Sequence, residues 1–380
     1  MNGRQYHTHS EFLEDSIKNG EIKFIIHADS AFNKIYYFGE FLYELGYYFL
    51  FTFLPLTTYN IYFILCSLIS TLLIAAFATL IERKVMSSVQ RRRGPNKIGL
   101  FGIFQPIADG VKLLLKEIII PSKADLLIFI FTPIYSFVLS LLIWLFIPFS
   151  LTTQMLSTPL SLLYVLAISN LAVFGIIFSG WSSNSKYSFL GSLRASSQMI
   201  SYEIAFSVVW LIIILINGNL DMVNLIYFQT EYVINFIPLL PIYFIFFIII
   251  LAETNRAPFD LPEAESELVA GYNVEFSGMG FAFLFLAEYS NIACMSAIIT
   301  IFFFSNDIGI NYLNFIYFGL KVTIHVIIFV VIRATLPRFR YDMVMNIMWK
   351  KILLFLIIMF FFYFFLKFIL IYTEMYLMLI

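Results

Sequence analysis

Long apolar runs separated by short polar stretches dominate the chain from residue 58 onward. A helix needs about 20 mostly apolar residues to cross a bilayer, and eight segments meet or approach that length. Their predicted bounds are Thr58–Ile81, two spans within Leu126–Ser185 separated at Pro148–Pro159, Ser201–Ile216, Phe236–Leu251, Phe276–Ile301, Tyr312–Ile332 and Ile352–Leu370. The pattern predicts an all-α membrane protein, a polytopic bundle of about eight transmembrane helices.

The segments outside these spans give the predicted organisation of the chain. Residues 1–57 carry no clean spanning signal and turn aromatic from Phe41 to Leu56, which is typical of a segment that contacts the membrane interface. We therefore predict an N-terminal extension at 1–57 that is partly interfacial, an eight-helix membrane domain at 58–370, and a C-terminal tail at 371–380.

The long loop after the first span contains one segment with helical periodicity. Within Phe101–Glu117 and just after it, apolar residues recur at helical spacing, and Lys112 and Lys116 lie between them. This pattern predicts an amphipathic helix that lies in the membrane interface.

The basic residues support the same topology. Lys and Arg lie after the first, third, fifth and seventh spans, with Arg256 alone after the fifth, whereas the turns Pro148–Pro159 and Asn217–Asn235 contain none. By the positive-inside rule, all basic loops lie on one side and both termini on the other. Within the membrane domain Lys321 and Lys367 depart from this pattern, and each can be placed toward an outer helix end with its aliphatic stem in the apolar layer.

Composition excludes several classes of protein. Of the 380 residues 61% are hydrophobic and only 12% are charged, which is far too apolar for a water-soluble domain, and the net charge of −1 gives no indication of nucleic-acid binding. Two cysteines and four scattered histidines argue against a disulfide framework, an all-cysteine iron–sulfur site or any metal site built from this chain alone. The abundance of Phe, Ile and Tyr indicates an AT-rich, organellar genome; ordinary membrane composition is the alternative.

Three glutamates fall within or at the ends of predicted spans. Glu203 opens the fourth span, Glu253 closes the fifth, and Glu288 lies near the middle of the sixth. Carboxylates in the membrane are costly, and burial favours their neutral form, so such groups are candidates for a proton pathway. The alternative is a structural carboxyl that hydrogen-bonds to a neighbouring helix.

A second acidic group follows the fifth span. Its members are Asp260, Glu263, Glu265, Glu267 and Glu275, and Arg256 is the only basic residue beside them. Crowded carboxylates repel one another, so some should hold protons and the group should titrate together. The alternative is a solvated acidic loop, although its position on the basic side favours contact with basic groups or with a protein partner.

No motif for a redox cofactor is visible. There is no G-x-G-x-x-G after a strand, no phosphate-binding loop and no cysteine cluster, so we assign no catalytic residue and no cofactor-binding residue. Judged by charge alone, the basic stretches are best explained by binding to anionic lipid and by membrane topology. They are Glu82–Lys84, Gln90–Arg93 and Arg333–Arg340.

Four composite motifs carry a resemblance to a known family. They are Glu82–Lys84 with Arg93–Asn96 and Gln105–Lys112; Gly180–Lys186 with Leu193–Ala195 and Ile200–Glu203; Leu251–Arg256 with Pro258–Leu261 and Glu265–Leu268; and Ile332–Arg333 with Leu336–Asp342. In this order they resemble NADH dehydrogenase subunit 1, the quinone-chamber subunit of proton-pumping NADH:quinone oxidoreductase (respiratory complex I), and the related membrane-bound hydrogenase subunits. The resemblance covers roughly Thr58 to Leu370.

The resemblance implies eight tilted helices, a tunnel by which ubiquinone enters from the bilayer, and a chain of buried acids toward antiporter-like subunits. It also implies partners: hydrophilic-arm subunits of the quinone module at the basic loops, small membrane-arm subunits, and membrane lipids. NADH, FMN and iron–sulfur clusters would reside in partner subunits, and the location would be the mitochondrial inner membrane. Matched by position, the expected tunnel residues are Arg83, Asp109, Arg194, Arg333 and Arg338, and the expected proton pathway comprises Glu203, Glu253, Glu288, Asp260, Glu263, Glu265, Glu267 and Glu275.

Two other functions remain open on the sequence. A stand-alone ion or proton transporter would also need buried acids, although the paired broken helices and inverted repeats of many transporters are not visible. A purely structural membrane scaffold would have no use for intramembrane glutamates, which are costly.

Overall fold

The fold is seen in a computed structural model that describes residues 54–149, 156, 158–231, 234–260, 271–305 and 311–378. The chain divides into two compact units, Met1–Leu65 and Cys66–Ile380. Of the first unit only the start of a helix belongs to the described residues, and the account below concerns the second.

The described residues form α-helices joined by short turns, with no strand among them. In chain order the helices are α1 (Leu54–Val89), α2 (Gln105–Leu115), α3 (Leu126–Trp144), α4 (Ser161–Ser182), α5 (Lys186–Asn217), α6 (Met222–Glu231), α7 (Leu240–Glu253), α8 (Gly278–Phe303), α9 (Asn311–Thr335), α10 (Tyr341–Ile347) and α11 (Leu353–Met378). Two 3₁₀ turns, Leu100–Gly102 and Gly271–Asn273, precede α2 and α8, and a π-helical turn, Met348–Ile352, joins α10 to α11.

The predicted fold class is confirmed. Within the described residues six helical segments are long and apolar enough to cross a membrane: α3, α4, α5, α8, most of α9, and the continuous run Tyr341–Ile369. Helix α7 is apolar but shorter, and α1 covers the predicted first span. The protein is therefore a polytopic helical membrane protein.

Helix α5 begins well before the predicted start at Ser201. The Ser185 side chain caps its first turn by accepting a hydrogen bond from the backbone N–H of Ser188 (3.3 Å), a common N-terminal signal. Its end is set by Gly218, whose φ of 77° suits the left-handed conformation that closes a helix. The apolar pattern missed the first turns because they contain Lys186, Arg194 and several serines.

Helices α5 and α8 form the centre of the bundle. Helix α5 packs against α4, α7 and α11, and α8 packs against α3 and α9. Aromatic side chains pack around both helices. The Phe206 and Phe246 rings stack with their centroids 5.6 Å apart, and the Trp210 and Phe302 rings meet edge to face with centroids 5.0 Å apart.

The bundle has two distinct ends. At one, which we call the basic end, the loop before α3 meets the turns before α5 and α8: the Asp125 N–H bonds to the Ser182 carbonyl (3.0 Å), and the Ile119 N–H to Ser277 Oγ (2.8 Å). At the other, which we call the opposite end, Leu162 N–H donates to the carbonyl of Leu220 (3.2 Å). Helices α5 and α8 both run from the basic end to the opposite end.

The amphipathic helix predicted at Phe101–Glu117 is confirmed as α2, which is shorter at both ends, Gln105–Leu115. It starts at Gln105 because Gly99, Phe101 and Gly102 all adopt positive φ, which interrupts regular helix, and Pro106 then occupies a first-turn position. None of its residues is buried, and its apolar side chains, including Ile107 and Leu114, are exposed.

Candidate functional site: buried charges and cavities at the basic end

Glu82, at the basic end of α1, is the centre of a buried charged cluster. Arg333 from α9 forms a close ion pair with Glu82 Oε1, and Arg256 Nη1 lies 3.3 Å from the same oxygen. The Tyr289 hydroxyl of α8 donates to Glu82 Oε2 at 2.5 Å. The carboxylate is 7% exposed, so it can lie here as an anion because two guanidinium groups neutralise it.

Arg256 connects this cluster to the rest of the basic end. Its guanidinium lies over the Tyr289 ring, 4.5 Å from the centroid, which is a favourable cation–π arrangement. Burial alone would lower the pKa of Arg256, but the acidic groups Tyr289, Glu82 and Glu288 raise it above its usual value, so the side chain stays a cation. A small cavity of about 20 Å³ beside the cluster has room for one water.

A larger cleft lies between α1, α2 and α8. Its volume is about 280 Å³, and most of its lining is apolar. The residues that line it are Ala76, Thr79, Arg83, Pro106, Asp109, Gly110, Lys112, Leu113, Phe281, Ala282, Phe285 and Leu286. Arg83 Nη1 donates to Asp109 Oδ2 (2.7 Å), and Gln105 Nε2 donates to Asp109 Oδ1 (3.1 Å). One side of the otherwise apolar cleft therefore carries an ion pair. Mostly apolar pockets with a few fixed polar groups are typical of small-molecule sites.

Asp260 lies in the loop that follows α7 and is 3% exposed. The half-exposed Arg338 approaches it, with Nη2 3.4 Å from Oδ2. The loop is held from inside by Gln198 of α5, whose Nε2 donates to the carbonyls of Ala252 and Phe259 at 2.9 Å each. This buried amide fixes the loop and therefore the position of the Asp260 carboxylate.

Glu288 is held by the 3₁₀ turn that precedes α8. The Tyr272 hydroxyl donates to Glu288 Oε1 at 2.9 Å, and the Asn273 side chain also bonds to this carboxyl. The turn packs directly on α5: a methyl group added to Gly191 would lie only 2.7 Å from the Gly271 Cα. Only a glycine at Gly191 allows this approach, so backbone packing positions the Tyr272 hydroxyl.

Glu253 and Glu288 line one internal cavity of about 60 Å³ between α3, α4, α7 and α8. Glu253 Oε2, Asn255 Oδ1 and Asn291 Oδ1 are buried there without a hydrogen-bond donor from the described residues. Among the described residues neither glutamate makes a salt bridge. Buried oxygens require donors, and a cavity of this size with several polar groups has room for ordered water. We refer to this space as the polar chamber.

Glu203 extends the acidic series along α5. It bonds to the Asn170 side chain of α4 and lies close enough to Glu253 for the two carboxyls to repel each other. At the other end of the series Glu288 interacts electrostatically with Arg256 and Asp260. The described acids therefore form one series, Asp260, Glu288, Glu253 and Glu203, that leads from the basic end into the bundle.

The remaining predicted site residues lie at separate positions in the fold. Arg333 lies on the Glu82 cluster, Arg194 is half-buried on α5, and Glu275 is partly exposed just before α8. Glu263, Glu265 and Glu267 lie outside the described residues. Nothing tests the functional roles predicted for these residues, which stay predictions.

Several residues of the site were missed by the sequence prediction. Glu82, Arg256 and Tyr289 were not among the predicted site residues, although the first two belong to the motifs quoted above. Tyr272 and the asparagines of the chamber were also missed, although uncharged polar side chains in apolar helices are a signal because each needs a partner there. Among the described residues no group of His, Cys, Asp and Glu could hold a metal ion.

Comparison with known proteins gives one family. The family model described as NADH dehydrogenase matches residues 62–364. NADH-ubiquinone oxidoreductase chain 1 of Chondrus crispus is 49% identical over 295 residues, which covers 76% of this chain and 90% of that protein. The chain 1 protein of Cyanidium caldarium is 49% identical over 292 residues, covering 75% of this chain and 85% of that protein.

A bacterial relative is equally similar. An NADH-quinone oxidoreductase subunit from Rickettsia typhi is 50% identical over 291 residues, covering 74% of this chain and 86% of that protein. The match spans the helices and loops that build the Glu82 cluster, the cleft and the polar chamber. The chain therefore belongs to the NADH dehydrogenase family that contains chain 1 of NADH-ubiquinone oxidoreductase and the similar bacterial subunit of NADH-quinone oxidoreductase.

Proposed function

We propose that this chain is the membrane subunit of a proton-pumping NADH:quinone oxidoreductase that forms the quinone access tunnel and couples quinone reduction to proton translocation. The observation that carries the coupling role is the polar chamber, where Glu253 and Glu288 share a cavity without a salt bridge among the described residues. A carboxyl that makes no direct ion pair can take up and release a proton more readily than one that is paired directly with a cation.

The cleft between α1, α2 and α8 is the proposed route for quinone. Its apolar lining suits an isoprenoid chain, and the Arg83–Asp109 pair offers polar contacts to a headgroup that passes it. Ubiquinone is the proposed substrate. NADH, FMN and iron–sulfur clusters are assigned to partner subunits, because the relatives named above are subunits of a larger oxidoreductase.

Arg333 and Arg338 have a different proposed part in the tunnel. Each guanidinium pairs with an acid, Glu82 or Asp260, at the basic end where the hydrophilic arm would dock. Negative charge that develops on a reduced quinone near these pairs would change the electrostatic attraction between each arginine and its acid. Glu288 interacts electrostatically with both Arg256 and Asp260, so the change would reach it. The proposed sequence of events is a charge change at the basic end, a protonation change at Glu288, and transfer through the chamber to Glu253 and Glu203.

The remaining assignments follow from this role. The proposed location is the mitochondrial inner membrane, with the gene in the organelle, since two of the relatives are chain 1 proteins of algae. The proposed partners are quinone-module subunits at the basic end, small membrane-arm subunits, antiporter-like subunits reached indirectly, and membrane lipids.

The coupling role is tested with Glu288→Gln in the purified complex, reconstituted in proteoliposomes. Electron transfer from NADH to quinone and proton uptake are measured together, and the ratio of protons to electrons should fall. The matched control is Glu231→Gln, because Glu231 is exposed on α6 at the opposite end and away from the chamber. An unchanged ratio in the Glu288 variant would refute the coupling role.

The tunnel role is tested separately by filling the cleft. Ala282→Trp places a large ring in its lining and should raise the KM for quinone, while NADH oxidation by ferricyanide, which does not need the membrane tunnel, should stay at the wild-type rate. Leu127→Trp on the exposed surface of α3 is the control. A quinone KM equal to that of the control would count against this route.

A further inference from the structure

The C-terminal end of α8, at the opposite end of the bundle, is closed by hydrogen-bond donors from other segments. Residues 301–304 offer four backbone carbonyl groups there. Gln229 Nε2 donates to the first (2.7 Å), Asn235 Nδ2 to the second (3.1 Å), the Phe236 N–H to the third (3.1 Å) and the Lys321 ammonium to the fourth. Each carbonyl thus has a donor from outside the helix.

The C-terminal end of α5 is closed by its own last residues together with a lysine from another helix. The Asn217 side chain donates to the carbonyl of residue 213 (2.8 Å), and the Gly218 N–H to that of residue 214 (2.7 Å). The Lys367 ammonium donates to the carbonyl of Leu215 and lies 3.3 Å from that of Ile216. A lysine from α11 therefore caps α5, as a lysine from α9 caps α8.

Two physical effects favour a lysine at these places. The last four carbonyls of a helix lack partners within the helix, so each needs a donor from elsewhere. The helix dipole also puts partial negative charge at this end, which attracts a cation. Snorkelling alone would direct the ammonium groups toward lipid headgroups. Instead both contact protein carbonyls, and Lys321 also lies over the Tyr317 ring, 3.9 Å from its centroid.

We propose that Lys321 and Lys367 are positioning residues for the proton path, each fixing the far end of one glutamate-bearing helix. Helix α8 carries Glu288 and α5 carries Glu203. Each glutamate lies about 20 Å along its helix from the cap, at about 1.5 Å per residue. Without its lysine, each helix end would be held by fewer donors, so the helix could shift or tilt, and the Glu288–Tyr272 and Glu203–Asn170 contacts would change with it. This inference rests on the proposed coupling function.

The test compares Lys321→Met, Lys367→Met and Lys321→Arg in the assembled complex, with Glu231→Gln as the control because Glu231 is a charged residue exposed at the opposite end. Hydrogen–deuterium exchange is read by mass spectrometry in the last turns of α5 and α8. Lys321→Met should speed exchange about tenfold at the end of α8 and not at the end of α5, and Lys367→Met should do the reverse. The proton-to-electron ratio should fall in both Met variants, and Lys321→Arg, which keeps a cationic donor, should restore it.

Each outcome decides the matter. Wild-type exchange in a Met variant would show that its lysine does not cap the helix, and the inference would be wrong. Faster exchange with an unchanged ratio would leave the cap but refute the positioning role. If Glu288→Gln leaves the ratio unchanged, the proposed coupling itself fails, whatever the lysine variants do. If Lys321→Met does not assemble, Lys321→Gln, which keeps an uncharged donor, should assemble with a reduced ratio; a normal ratio would refute the role.

Discussion

Glu82 and Glu253 are both buried glutamates in apolar surroundings, yet their environments differ. Glu82 receives two guanidinium groups and a tyrosine hydroxyl, so all of its bonding capacity is met by charged or donating partners. Glu253 has an oxygen without a donor from the described residues and faces a cavity lined by further acceptors. A carboxyl in the first environment is a fixed anion that ties helices together. One in the second can exist in either protonation state.

Glu82→Gln should have the largest effect on stability. It leaves Arg256 and Arg333 without their counter-ion, and removing one partner of a buried pair typically costs about 3–5 kcal/mol. Native gels should show little assembled complex, and thermal unfolding of any that remains should occur well below the wild-type temperature. Arg83→Gln, next in sequence but in a half-exposed pair, is the control and should change stability by less than about 1 kcal/mol.

Gly191→Ala tests whether backbone packing, rather than ion pairing, shapes the polar chamber. The added methyl group would meet the Gly271 backbone at 2.7 Å, so the turn that carries Tyr272 must move away from α5. Such overpacking typically costs about 1–3 kcal/mol, and a lower unfolding temperature should accompany a reduced proton-to-electron ratio. In Gly319→Ala, where nothing lies within 4 Å of the new group, both quantities should match the wild type.

Tyr272→Phe tests whether the Tyr272 hydroxyl adjusts the proton affinity of Glu288 in the polar chamber. The variant keeps the ring but removes the hydroxyl 2.9 Å from Glu288, a loss of about 1 kcal/mol for one hydrogen bond. Unfolding temperature should drop slightly, while the pumping ratio in proteoliposomes should change more visibly. Tyr187→Phe, at an exposed position on α5, provides the matched change. Equal pumping in the two variants would mean that this hydroxyl does not tune Glu288.

Glu253→Gln should have the smallest effect on stability. The carboxamide adds donors to a cavity with an excess of acceptors, so the free energy of unfolding should stay within about 1 kcal/mol of wild type. Proton pumping should nevertheless be lost, because the amide cannot carry a proton. A stability loss as large as that of Glu82→Gln would erase the distinction between the two environments.

The fold was largely predictable because membrane spans depend on local properties. Apolar runs of sufficient length and basic loops between alternate spans indicated the helices that the structure contains. Helix ends were less predictable, since capping by Ser185 and Gly218 outweighed the polar residues that made the first turns of α5 look like a loop.

The site was only partly predictable because its contacts join distant residues. Glu82 meets Arg256, Tyr289 and Arg333 across separations of 174, 207 and 251 residues, and no spacing in the sequence reports such contacts. By charge alone Glu82 was grouped with a basic loop end, where lipid binding was the best explanation. The intramembrane acids were identifiable because a carboxyl in an apolar run is unusual, whatever its partner.

The length of α5 has a consequence for the surrounding bilayer. Its 32 residues extend about 48 Å at about 1.5 Å per residue, whereas the hydrocarbon layer is about 30 Å thick. The helix must therefore lean strongly or protrude, and the polar start around Lys186 and Arg194 makes protrusion at the basic end the cheaper choice. A single continuous helix would then extend from the aqueous face into the membrane. A displacement of its protruding part by a docked protein would move Glu203 directly, with no loop in between.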